Sequence, residues 1–377
     1  MEAEAIDNIH YLVTSEGTAV RIQERLAFVR ARASIQAGDG MILDDGVVFH
    51  AAEASGLASE AEMRRGIEAM GERLTAMAAA GQAESYSGPV LFEGAASAQL
   101  FAQVLGRGLS LFRRPVTMPG RPAQFPSGEL EGRLGARVLP EWMDVVDDPT
   151  QKEWRGRRLF GHYEVDLEGV APTPLLAVEK GVLRGYLMSR QPMRGVSGSN
   201  GRGRLPGPFG ARSAAIGNLF VRASETVTEI ALRQQFLNLL DQRGKPYGLV
   251  VRKFDFPSAA GLAGARRMLA SLGRQSGAMP VALPVAVYRV YPDGREEPAR
   301  GLRFRSLNAR SLRDIVAASD QVHPFEFLNN TAPLALMGAG GYVAESAVFA
   351  PSVLVDDVEL EPVDQEHPKP PIVPPPT

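Results

Sequence analysis

The chain has 377 residues, is 45% hydrophobic and 22% charged, and carries a formal net charge of −2. Such a composition fits one large or two modest globular domains, and the near-neutral charge without a basic run excludes the electrostatic footprint of a nucleic-acid or anionic-membrane binder. No stretch approaches the roughly 18 consecutive apolar residues of a membrane helix, and the absence of cysteine excludes disulfides, thiol nucleophiles and cysteine-containing metal sites.

From the N-terminus, "IHYLVTSEGTAVRIQERLAFVRARASIQAGDGMILDDGVVFHAAE" alternates apolar and polar residues, with "SEG" and "AGDG" as punctuation. That pattern predicts antiparallel strands joined by tight turns. Residues 59–81 predict a helix: Ser59 is the N-cap, Glu62 completes a capping box, and Gly81 follows the last turn. A polar loop, "GQAESYSG", then marks a domain boundary. Beyond it come the strand-like "GPVLFEG", the amphipathic "AQLFAQVLGRGLS" with Phe101, Val104 and Leu105 as its core face, and a loop rich in Arg and Pro over 113–127. "LFGHYEVDLEGVAPTPLLAVEKGVLRGYLMSR" reads as strand, turn and hairpin, with "EKG" as the turn. Residues 197–214 form a long glycine-rich loop, a length that points to function or disorder. "EIALRQQFLNLLDQRG" is an amphipathic helix leading into "YGLVVRKFDF". Strand pairs follow around "PVAVYRVYPDGREEPARGLRFRS" and "PSVLVDDVELEP", and the tail "HPKPPIVPPPT" is an extended proline segment. The mixed order predicts an α+β fold of mostly antiparallel sheets with packed helices.

Local motifs for chemistry are sparse. The histidines, His10, His50, His162, His323 and His367, are too scattered for a local metal motif. Gly198, Gly201 and Gly203 match neither a dinucleotide fingerprint nor a phosphate loop, which leaves a surface or groove-lining loop. Arg202 and Arg204 are suited to clamp a carboxylate, with plain solvation as the alternative. Asp166 and Glu168 fall on one side of a strand, as an acid/base pair would require. The alternative is a turn anchor, with Gly169 supplying positive φ. Asp147 and Asp148 read either as a metal-binding acidic pair or as Asp-Asp-Pro turn chemistry. No G-x-S-x-G elbow supports Ser197 or Ser199 as a nucleophile beside His162.

"YLVTSEGTAVR", "GPVLFEGAASAQLFAQVLGRGL", "LGARVLPEWMDVVDDPT", "HYEVDLEGVAPTPLLAVEKGVLRGYLMSR" and "SGSNGRGR" together resemble, in this order, the landmarks of the TldD/PmbA family. These are bacterial metallopeptidases and their sister subunits, also called modulators of DNA gyrase. The resemblance runs from about Tyr11 to about Leu360. It implies a central-region remnant over 1–85, a C-terminal domain over 86–361 and a proline-rich tail over 362–377. Family members carry a further N-terminal domain ahead of the "SEG" strands, so the resemblance implies a truncated or reduced member.

In active subunits of that family the helix after "GPV" carries H-E-x-x-x-H, two zinc-binding histidines and a glutamate base. Zinc there lowers the pKa of its bound water toward 7. Laid on this chain, those positions are Ala102, Gln103 and Arg107, and the cysteine ligand near the C-terminus falls loosely on Met337. An α-helix would set positions 102 and 107 about 140° apart, so the site requires a local distortion, which Gly106 suits. The pattern is similar to the zinc-free PmbA (TldE) subunits. It implies no catalytic residues, no metal cofactor, and a non-catalytic subunit that binds extended peptides or scaffolds an active partner. Asp166, Glu168, Asn200, Arg202 and Arg204 become peptide-binding candidates, with substitution of Arg202 and Arg204 expected to spare stability. The partner is a second copy or a TldD-like subunit, in a bacterial cytoplasm by resemblance, or outside it if an export signal preceded residue 1. The other readings are a hydrolase with an unrecognised site and a structural envelope or secreted protein.

Overall fold

The computed structural model describes residues 1–111, 118, 120, 128–191, 195, 198–206, 212–255, 281–329 and 344–363. Met337, Ser197, nearly all of the Arg/Pro loop and the tail from 364 lie outside the described residues.

Strands β1 (Glu2–Val13), β2 (Ala19–Gln36) and β3 (Ile42–Ala51) form an antiparallel sheet in that order, as the alternation predicts. Helix α1 (Glu60–Ala79) covers one face, with Met70 and Leu74 packed against Ala31. Its start is the expected capping box: the Ser59 hydroxyl accepts the Glu62 N–H, and the Glu62 carboxylate accepts the Ser59 N–H at 2.8 Å. Gly66 sits within this helix where a Cβ would stand 2.7 Å from the Phe49 ring.

The second sheet has eleven strands. In chain order the remaining elements are β4 (Tyr86–Phe92), α2 (Ala95–Phe101), a π turn (Ala102–Gly106), α3 (Arg107–Leu109), β5 (Met143–Asp147), and the short hairpin β6 (Glu153–Trp154) with β7 (Arg157–Arg158). Next come β8 (Leu175–Glu179) and β9 (Val182–Leu183), whose tight turn holds Lys180 and Gly181 at φ 46° and 74°. β10 (Gly203–Pro206) pairs with β11 (Arg212–Ala214) apart from the large sheet. β12 (Asn218–Ala223), α4 (Glu229–Gln242), β13 (Gly248–Phe254), β14 (Pro284–Val290) and β15 (Glu296–Ala299) follow. β16 (Leu302–Phe304), β17 (Ile315–Asn329) and β18 (Ala344–Pro362) close the chain.

The strand order is β15-β14-β13-β4-β18-β12-β5-β8-β9, and β16 and β17 also pair with β18. Most pairings are antiparallel; β4 with β13 and β12 with β18 are parallel. The fold is therefore α+β with mostly antiparallel sheets. Strand alternation sorts the core into two layers. Val90, Phe92, Val251 and Val353 face Phe101 of α2 and Leu105 of the π turn, while Leu91, Val250 and Leu354 face α4 and its Leu232, Phe236 and Leu240. Ion pairs tie the sheets together: Arg32 is bidentate on Asp255 at 2.9 Å, and Lys253 reaches Asp45. No described helix is long and apolar enough to cross a membrane.

Two sequence readings need correction. "PSVLVDDVELEP" is not a strand pair but part of the single long β18, which absorbs its two aspartates at a bulge between Val355 and Val358. Residues 159–170 form no strand, because their backbone N–H groups are divided between side chains and separate carbonyls, those of Lys152, Pro149, Val170 and Gly203 among them, rather than going to one partner strand. The Asn218 side chain accepts from Gly161, and Asp166 accepts from Glu168 and Val170.

Candidate functional site

The helix after β4 begins at Gly94, whose N–H donates to the Ser352 hydroxyl at 2.9 Å. Residues 96–106 are buried throughout, so Phe101, Val104 and Leu105 are core as expected. The distortion required of this helix is present. Ala102–Gly106 form a π turn, whose i→i+5 repeat brings positions 102 and 107 toward one face. π turns cluster at functional sites, but the side chains here do not fit a zinc ion. Ala102 offers no donor atom. Gln103 is 3% exposed, and its Oε1 accepts the Ala282 N–H at 2.7 Å. One turn earlier Gln99 accepts the Phe254 N–H at 2.9 Å, so the two amides together hold β13 and the entry to β14. Arg107 is mostly buried, and burial pushes its guanidinium pKa down. Its side chain makes no hydrogen bond or ion pair to a described residue.

The glycine-rich loop is an interior knot. Arg202 is 0% exposed, and its Nε donates to Asp147 Oδ2 at 2.8 Å. Its Nη2 donates to the Asp147 and Thr173 carbonyls at 2.9 and 2.7 Å, and its Nη1 to the Asn200 carbonyl. Asp147, also fully buried, accepts the Gly217 N–H at 2.9 Å through its other oxygen. Burial pushes this carboxyl's pKa up, against the pull of Arg202. Arg204 is nearly buried, donates to the Glu345 carboxylate at 2.7 Å and lies 4.2 Å from the Tyr163 ring centre. Asn200 accepts from the Met188 N–H and donates to the Tyr186 carbonyl, both at 2.8 Å.

Asp166 and Glu168 sit beside this knot, on a turn. Asp166 accepts the N–H groups of Glu168, Val170 and Gly203, each at 2.9 Å, and Gly169 has φ 79°. That is the turn-anchor alternative, and it overturns the reading of the two acids as one face of a strand. Burial raises the pKa of both carboxyls, and backbone donors oppose it. Asp148 caps its own turn by accepting the Thr150 N–H and hydroxyl, so Asp147 and Asp148 divide between an ion pair and a turn.

All five peptide-binding candidates thus lie together, but Arg202 is corrected. It clamps a carboxylate belonging to this chain and is enclosed by it, so it presents nothing to a ligand. The expectation that substituting it spares stability is corrected with it. Glu168, whose Oε2 accepts the Arg190 N–H at 2.6 Å, and Asn200 remain partly exposed.

One cluster was not legible in the sequence. His323 Nε2 lies 2.9 Å from Glu229 Oε1, which also accepts the Ser352 hydroxyl at 3.0 Å. The serine meets the carboxylate rather than the imidazole and is 0% exposed, so the trio fastens the α4 N-terminus to β17 and β18. Among the described residues no three His, Asp or Glu side chains converge as metal ligands.

Known proteins resemble this chain in sequence and in fold. The family described as PmbA/TldA metallopeptidase C-terminal domain matches residues 84–252. A metalloprotease of Archaeoglobus fulgidus is 37% identical over 78 residues, 21% of this chain and 17% of that protein. One from Methanothermobacter thermautotrophicus is 40% identical over 62 residues, 16% of this chain and 12% of that protein. These matches span under a fifth of either relative. TldE from Thermococcus kodakarensis superposes with a TM-score of 0.54 at 13% identity, over 92% of this chain and 65% of that one. A protein described as a modulator of a DNA gyrase from Thermotoga maritima gives 0.53 at 18% identity, with the same coverage. At those identities the structures speak for the fold alone, while the sequence match covers the helix with its π turn and the glycine-rich knot. Residues 84–252 thus match the metallopeptidase C-terminal domain of the PmbA/TldD family.

Proposed function

We propose that this chain has lost the family's zinc centre and acts in proteolysis as a non-catalytic subunit, binding extended peptides or completing an active TldD-like partner. One observation carries the reading. The helix keeps the π turn that aligns positions 102 and 107, yet those positions hold Ala102 and a mostly buried Arg107, while Gln103 is hydrogen-bonded to the Ala282 backbone. A guanidinium has no lone pair to give a cation and would repel one. A neutral amide cannot take the proton of a metal-bound water. The fold therefore supplies walls and contacts rather than a nucleophile. Peptide recognition through backbone hydrogen bonds at a sheet edge suits such a role, since it gives affinity with little sequence preference.

Elemental analysis tests the reading directly. After dialysis against zinc and then buffer, the purified chain is expected to hold far less than one ion. A tightly held stoichiometric zinc would overturn the proposal.

A further inference from the structure

Between the turn after Gly128 and the turn ahead of β17 lies a cavity of about 340 Å³. Arg133 and Arg137 line one wall, and Arg310 and Arg313 the other. Glu129 is the one acid in this lining, and its Oε2 accepts the Ala309 N–H at 2.9 Å, bridging the two walls. Arg137 has Glu141 at 3.4 Å, with both side chains at least half exposed. Arg133, Arg310 and Arg313 have no carboxylate partner among the described residues. Arg313 donates instead to the Arg310 carbonyl at 3.4 Å.

This surplus is local. The whole chain is slightly acidic, and its other arginines are commonly matched, as Arg252 is by Glu93 and Glu296, and Arg300 by Asp39. The walls are held by the fold. The Tyr186 hydroxyl accepts the Arg133 N–H at 3.0 Å and donates to the Leu130 carbonyl at 2.6 Å. The floor is apolar, with Leu130, Val138 and Ala309 all buried.

Guanidinium groups gathered over an apolar floor repel one another, and an anion of two or more charges relieves that repulsion. Their planar forks match phosphoryl oxygens in number and direction. The volume lies at the small end of the range for small-molecule pockets, roughly 300–1,000 Å³. We propose that this cavity binds a small phosphorylated molecule carrying at least two negative charges, with Arg133, Arg310 and Arg313 on its phosphoryl oxygens. Its organic part rests on Leu130 and Val138.

Calorimetric titration of the whole chain with pyrophosphate and with ADP, against citrate at matched ionic strength, tests this. Saturable binding of at least one phosphate probe is expected, at least about tenfold tighter than citrate. The double variant Arg310→Ala/Arg313→Ala should weaken it at least about tenfold with an unchanged urea midpoint. Arg65→Ala, at an exposed arginine of α1, should leave binding unaltered. If the double variant shifts the midpoint, Arg133→Ala alone must show the loss. Absence of saturable binding by both phosphate probes, citrate binding as tightly, or wild-type affinity in the arginine variants would overturn the proposal.

Discussion

Two buried arginines mark the contrast between the glycine-rich knot and the π-turned helix. Arg202 is sealed from solvent and donates to Asp147 and to three backbone carbonyls. Arg107 is mostly buried too, yet finds no carboxylate among the described residues. A desolvated charge is tolerable when its donors are matched and costly when they are not. The knot is therefore built around its arginine, whereas the helix tolerates one. The same difference separates a part of the fold that depends on its arginine from a position where the fold does not.

The largest effect should come from breaking the knot. Arg202→Ala leaves the Asp147 carboxylate enclosed beside only the Gly217 N–H, and removing one partner of a buried pair costs about 3–5 kcal/mol. Asp147→Ala leaves the guanidinium buried with only its backbone carbonyl acceptors and no counter-charge. The double variant should lose clearly less than the sum of the two, because neither charge then remains alone. Urea unfolding of the four proteins measures this. Strict additivity would mean that the pair is not coupled, and the contrast with Arg107 would fall.

How far the sequence reveals these features depends on distance along the chain. The capping box at Ser59 and the turn at Lys180–Gly181 were legible because each is decided within a few residues. The helix distortion was legible only through the family resemblance, whose two histidine positions, five apart, misalign on an α-helix. By contrast, Asp147 and Arg202 meet across 55 residues, and neither shows its burial in local periodicity. β17 escaped reading for a physical reason. Its "IVAASDQVHPFEFLN" carries a polar run and Pro324, which lacks an N–H and suits a strand bonded on one side only. Its register against β18 accordingly shifts between Ala318 and Val322.

An intermediate effect belongs to Gln103, where the helix does bind part of the fold. Gln103→Leu keeps the volume but removes the acceptor of the Ala282 N–H. An unsatisfied buried amide costs roughly 1–3 kcal/mol. Hydrogen exchange should show the amide of Ala282 losing protection while α4 and its core stay protected. Unchanged protection at Ala282 would mean that another acceptor replaces the glutamine, and position 103 would then be as dispensable as its neighbour at 107.

The smallest effect, and the one of opposite sign, is expected at Arg107. Arg107→Met retains most of the aliphatic stem that packs in the interior and removes a charge that burial disfavours. Replacing an unmatched buried charge with an apolar side chain of similar length is neutral or stabilising. Because part of the guanidinium still reaches water, the gain should be no more than about 1 kcal/mol. A urea midpoint at or slightly above that of the parent chain meets the expectation. A loss comparable to that of Arg202→Ala would show that Arg107 has an anionic partner in the folded protein, and the two arginines would then follow a single rule.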